Sequence, residues 1–231
     1  MRFDYQHRTT GIALLFLLMA ALTCVAGGDA EKTKKLIEVL KSDADVFSKA
    51  RACQQAGEFG TAEAVPALSA LLSDEKLAAY ARSGLENIPD PAASAALRTA
   101  LGLLEGARLA GVVTSLGVLR DAQAVEALQK LATDPAKGVV KEALFSLGRI
   151  ADAASMETLR SMLRSGPETS RSDAASACLL AAERQWKRGQ TECAKALYDE
   201  VRVAKVPASY RSGATRGAIL MRKEQLSLIH I

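Results

Sequence analysis

The sequence predicts an all-α fold, a right-handed α-solenoid of stacked antiparallel helix pairs. Three observations predict it. One phrase recurs: Ala62-Glu63-Ala64-Val65-Pro66-Ala67-Leu68 reappears as Ala122-Gln123-Ala124-Val125-Glu126-Ala127-Leu128, two repeats later. Asp90, Asp121 and Asp152 fall 31 residues apart, and Leu85, Leu116 and Leu147 keep the same step. Each period also holds two segments with apolar residues at helical spacing. Such a step with two helices per period marks a solenoid, in which no unit buries its own apolar face and neighbours must stack. Composition agrees. The 231 residues are 49% hydrophobic but only 4% aromatic. Their apolar content is largely Ala and Leu, both strong helix formers, and no stretch alternates apolar and polar β-branched residues as a strand does.

Residues 1–28 read as a secretory signal peptide. Arg2 and Arg8 precede an uncharged apolar run from Ile12 to Ala26, and Gly27-Gly28 follows. The run is shorter than the about 20 residues a membrane-spanning helix needs. Cys24 is a possible lipidation site, although Thr23 before it suits a lipobox poorly. The chain is therefore expected to be exported, periplasmic or secreted, touching a membrane only through the signal or a lipid on Cys24. Removing 1–28 takes away two Arg and one Asp, so the net charge falls from +4 to +3, too small a surplus to indicate nucleic acid.

Repeats are expected over residues 29–165. In the first, Leu36, Ile37, Val39 and Leu40 form one stripe, Ser42-Asp43 the next helix cap, and Val46, Phe47, Ala50 and Cys53 the second stripe. The second has Leu68, Leu71 and Leu72, a cap at Ser73-Asp74, then Ala78, Ala81 and Leu85. The third opens at Asp90 with Pro91 in the first helical turn, where its missing N–H is no loss. It carries Leu97 and Leu101, then Leu109, Val112 and Leu116. The fourth has Leu128 and Leu131, an Asp134-Pro135 turn, then Val140, Ala143 and Leu147; the fifth has Leu159, Met162 and Leu163. Asp90, Asp121 and Asp152 should each cap a first helix, where a carboxylate accepts free backbone N–H groups at the positive end of the dipole. Leu68, Leu97, Leu128 and Leu159 should be core.

The register changes after Leu163. Residues 166–225 predict longer helix pairs, one from about Ser170 to Arg188 and a last helix from about Ala208 to Glu224. That last helix shows no polar capping face, so Ile219, Leu220 and Met221 should be poorly covered and the array should continue into a missing C-terminal part. Leu226-Ser227-Leu228-Ile229-His230-Ile231 resembles the translation of a sequencing-library adapter, which makes 226–231 an expected artefact.

Ala124-Val125-Glu126-Ala127-Leu128, Asp134, Val139-Val140-Lys141-Glu142-Ala143-Leu144 and Leu147-Gly148-Arg149-Ile150 resemble the HEAT-repeat family, in particular the short bacterial repeats named after phycobilisome lyases. The resemblance implies the armadillo-like solenoid architecture and a binding scaffold; it implies no lyase activity. Ala181, Gly189, Ala194 and Tyr198 have a tetratricopeptide-like spacing, with Trp186 one residue off the aromatic position.

Little in the sequence points to chemistry. The two histidines, His7 and His230, lie in the signal segment and the terminal hexapeptide. Without histidine in the body of the chain, Ser-His-Asp catalysis and a His-ligated metal are not expected. Ser73-Asp74-Glu75-Lys76 satisfies S-x-x-K but lacks the companion motifs of the β-lactamases, so Ser73 is read as a helix cap. Cys53, Cys178 and Cys193 are expected to be small buried hydrophobes, with a Cys178–Cys193 disulfide as the alternative. No cofactor, metal or catalytic residue is expected. One surface signal remains: a basic stretch between Arg184 and Lys223. Its candidate binding residues are Arg184, Trp186, Lys187, Arg188, Arg202, Lys205 and Arg211. The expected function is a non-enzymatic exported scaffold that binds an unknown protein partner through a concave helical face, without nucleic acid. The alternatives are an accessory region of a larger exported enzyme or cytochrome, and a polyanion-binding module.

Overall fold

The computed structural model describes residues 30–229, and side chains as far as Lys223. Residues 1–28, where a signal peptide is expected, with Cys24, and the side chains of Leu226 to Ile231, lie outside the described residues. Twelve helices and no strand occur among the described residues: α1 (30–41), α2 (Val46–Phe59), α3 (Val65–Ala70), α4 (Ala78–Asn87), α5 (Pro91–Ala100), α6 (Gly106–Leu119), α7 (Val125–Thr133), α8 (Val140–Ile150), α9 (Ala153–Ser165), α10 (Glu168–Lys187), α11 (Thr191–Val203) and α12 (Ala208–Ile229). They pack as sequence-neighbour pairs, as a helical repeat solenoid does. None is long and apolar enough to cross a membrane. The chain forms two compact units, 1–93 and 94–231.

In the first unit α2 packs on α4 and α3 on α4. The cap of α2 is Asp45, not the expected Ser42-Asp43. Its Oδ1 accepts the N–H groups of Phe47 (2.9 Å) and Ser48 (3.1 Å). Val46 and Phe47 are exposed, Phe47 at 75%, against expectation. The buried stripe is instead Ala50, Ala52, Cys53 and Ala56, whose short side chains let α4 approach closely. Asp74, rather than Ser73, organises the turn before α4: its Oδ1 accepts from Lys76 and Leu77, both at 2.8 Å. Those bonds hold its carboxyl below the usual range. At the N-terminal end, Thr33 is fully buried and its hydroxyl donates to Phe59 O while accepting from Thr61 N.

In the second unit two layers alternate. The first helices of successive repeats, α7, α9 and α11, touch one another, and so do the second helices α6, α8, α10 and α12. Two glycines set how closely the second helices approach. A Cβ on Gly117 of α6 would lie 2.7 Å from Ser146 Cα of α8, and one on Gly148 of α8 would lie 2.7 Å from the carbonyl oxygen of Ala177 in α10. Any side chain there would push the layer apart. Ser146, itself buried, donates from Oγ to Val113 O across α6 and α8 at 2.8 Å.

The aspartates do what their spacing predicts. Asp90 Oδ1 accepts from Ala92 N (2.8 Å), Asp121 Oδ1 from Gln123 N (2.9 Å) and Asp152 Oδ1 from Ser155 N (2.7 Å). Asp121 adds a second role by pairing with Arg98. Leu68, Leu97, Leu128 and Leu159 are each fully buried. Two neighbours shift by a residue or more: Leu104 and Val139 are buried where Leu101 and Val140 are only half-buried. In both cases the preceding helix or turn closes differently from a straight repeat count. In α12, Ile219 and Leu220 are exposed as expected, but Met221 is buried.

Candidate functional site

The repeat's second-to-first-helix turn is written twice: Leu116-Gly117-Val118-Leu119-Arg120-Asp121 and Leu147-Gly148-Arg149-Ile150-Ala151-Asp152. In both copies the residue before the aspartate turns left-handed, Arg120 at φ 56° and Ala151 at φ 52°. This is where a helix ends by an αL residue, a position that glycine usually occupies. Arg120 N–H bonds back to Gly117 O, and Asp121 N–H to Leu116 O. The geometry throws the Arg120 side chain off the end of α6.

Close approach of α6, α8 and α10 brings their C-terminal ends together around a cleft of about 440 Å3. Five cations line it: Arg120 from α6, Arg149 from the last turn of α8, and Arg184, Lys187 and Arg188 from the end of α10. Glu183 is its one carboxylate; Gly117, Val118 and Leu180 complete the lining. Three helix C-termini contribute roughly half a negative charge each, which offsets only part of the formal surplus.

Several arginines elsewhere in the described residues pair with carboxylates. Arg82 pairs with Glu86, Arg160 with Glu200 at 2.9 Å, Arg164 with Glu157 and Glu200, and Arg202 with Asp199 at 2.7 Å. None of the five cleft cations makes such a pair. Arg184 Nε is buried without a hydrogen-bond partner. Burial first, then Arg188 and Arg120, push the Arg184 guanidinium towards a lower pKa than usual.

The residues singled out in the sequence thus separate. Arg184, Lys187 and Arg188 converge in the cleft. Trp186 is half-buried and does not line it. Arg202 is paired on α11. Lys205 lines a different depression of about 420 Å3 with Arg164, Arg171 and Glu200. Arg211 donates from Nη1 to Val206 O at 2.5 Å, closing the turn before α12. Sequence reasoning missed Arg120 and Arg149 as members of the site. Superposing the two copies of the turn would not have found them, since Arg120 falls on Ala151 and Arg149 on Val118.

A second feature missed in the sequence supports α10. Gln185 is buried, and its Nε2 donates to the carbonyl of Ala151 at 2.5 Å. Ala151 is the left-handed residue of the α8–α9 turn, so this bond fixes the end of α10 against the turn that follows Arg149. The cysteines are free: Cys53 and Cys178 are fully buried and Cys193 is half-buried beside Met156. Burial pushes the Cys53 thiol up to about 11 and the Cys178 thiol up to about 12, the behaviour of packing groups rather than nucleophiles. Among the described residues no cluster of three His, Cys, Asp or Glu is placed to hold a metal.

A family model for HEAT repeats matches residues 106–179. Residues 106–179 are HEAT repeats. The match covers α6 and α8 and ends at residue 179 within α10, just before the α10 residues that line the cleft. A crystal structure of an engineered protein is 21% identical, with a TM-score of 0.45, over 83% of this chain and 96% of that one. No curated protein matches the chain.

Proposed function

We propose that this chain is an exported, non-enzymatic repeat scaffold that holds a protein partner against its layer of second helices. The observation that carries this reading is that the cleft opens on the layer of second helices, two of which, α6 and α8, lie within the HEAT repeats. A stack whose members bury only against their neighbours leaves an extended surface open, and here that surface includes a concave cleft rich in cations. The export component rests on the basic-then-apolar plan of residues 1–28.

Photo-crosslinking tests the face. Benzoyl-phenylalanine is placed at Glu183, exposed on the cleft, or at Glu126, exposed on the first-helix layer. The scaffold reading expects discrete protein adducts from position 183 and not from position 126 in cells expressing the full chain. Equal or absent adducts at both sites overturn it. Fractionation in a Gram-negative host tests export separately, with cytosolic protein retaining Met1 as the contrary result.

A further inference from the structure

We propose that the cleft between the ends of α6, α8 and α10 is an anion-binding site that takes the carboxylates of an acidic peptide segment. Arg120, Arg149 and Arg184 are the residues that would grip it. The inference rests on the scaffold reading and names the chemistry of the partner.

Three observations converge. The first is convergence without compensation. Three helices deliver five cations to one cleft with a single carboxylate among them, while Arg82, Arg98, Arg160, Arg164 and Arg202 have each found an acidic partner within the fold. Like charges gathered by tertiary structure repel, and walls of low polarity strengthen the field they make. The second is Arg120. It holds the left-handed cap of α6, a position Ala151 takes in the next repeat, and from there its side chain reaches the cleft. The third is Arg184, whose buried Nε lacks a partner and whose guanidinium is the planar fork suited to carboxylates.

The same features select among anions. A site for single-stranded nucleic acid needs aromatic faces on which bases stack, and this cleft is lined by Val118 and Leu180 with no aromatic residue. Tracking a phosphate backbone also needs cations continued along the stack. At the 31-residue step, Arg51 and Arg82 are instead followed by Val113 and Leu144, which are buried. A short carboxylate-bearing segment with aliphatic neighbours fits both the charge and the lining.

The experiment uses the full chain and a fluorescein-labelled hexaglutamate-leucine peptide, read by anisotropy at low and at physiological salt. Binding is expected to weaken with salt. Arg149→Gln and Arg120→Gly should each lower affinity by about tenfold, the size of one charge-assisted contact. Circular dichroism should show both variants folded. The double change Arg202→Gln with Lys205→Gln removes two positive charges away from the cleft and should leave affinity within about twofold. If that control weakens binding as much as the cleft variants, the attraction is net charge and the site is refuted. A labelled oligothymidine of equal charge binding more tightly, lost in the same cleft variants, would overturn the peptide assignment in favour of nucleic acid. Millimolar inorganic phosphate displacing the peptide fully would overturn it in favour of a small anion. Failure of peptide binding while position 183 still crosslinks a protein would refute this inference and leave the scaffold reading standing.

Discussion

The end of α10 and the stretch from the last turn of α11 to the start of α12 each carry three basic residues: Arg184, Lys187 and Arg188 in one, Arg202, Lys205 and Arg211 in the other. As sequence they are equivalent, and one reading groups them as a single basic surface. In three dimensions they diverge. Arg202 is neutralised by Asp199, and Arg211 is spent on the Val206 carbonyl. The α10 residues meet Arg120 and Arg149 from two earlier repeats and remain without acidic partners. The lesson is that charge density along a helix says little about a site. What matters is which helix ends the packing brings together, and whether acidic residues come with them.

The largest effect that would sharpen this contrast comes from the frame of the cleft. Leu147 is fully buried in α8, the helix between α6 and α10. Leu147→Ala should destabilise the chain by about 2–5 kcal/mol through lost transfer energy and a residual cavity. Val203, at the end of α11, is 84% exposed, and Val203→Ala should stay within about 0.5 kcal/mol. Urea denaturation of the two variants is the measurement. Similar midpoints would mean that α8 is not the keystone its burial indicates.

Next in size is Gln185. Replacing it by Leu keeps the volume but leaves the Ala151 carbonyl buried without its donor, a loss of about 1–3 kcal/mol. The end of α10 should also move relative to the turn after Arg149. Peptide affinity should therefore fall although no cleft cation has been changed. Stability lost with affinity intact would show that Gln185 supports the core but not the site.

The fold was largely legible because its causes are local and periodic. The 31-residue step placed Asp90, Asp121 and Asp152, each of which caps as predicted, and picked Leu97, Leu128 and Leu159 as core. The misreadings arose where neighbouring residues compete for one job. Asp45 outcompetes Ser42-Asp43 as a cap, and small Ala52 and Ala56 are buried in place of Val46 and Phe47, because close helix approach favours small residues over large apolar ones. The cleft was half-legible. Arg184, Lys187 and Arg188 were visible as a cluster, while Arg120 and Arg149 were not. Their membership depends on how far Gly117 and Gly148 let three helices close, a distance that no count along the chain supplies.

The smallest expected effect separates the charge of the cleft from its backbone. Arg120 and Ala151 occupy the same left-handed position in consecutive repeats. Replacing either by Gly relieves the steric cost of that conformation, and the gain is partly offset by the greater freedom of Gly in the unfolded chain. Ala151→Gly measures that balance alone, since alanine carries no charge. Arg120→Gly also removes one of the gathered cations and its repulsion with Arg184. It should therefore be the more stabilising of the two, by up to about 1 kcal/mol. The difference should shrink as added salt screens the repulsion, because the Debye length falls from about 10 Å at 0.1 M to about 3 Å at 1 M. Thermal melts of both variants at the two salt concentrations decide the matter. A difference that persists unchanged in high salt would assign the gain to local backbone or packing. A destabilised Arg120→Gly would mean that this arginine supports the fold, and the contrast between the cleft and the stretch from α11 to α12 would lose its basis.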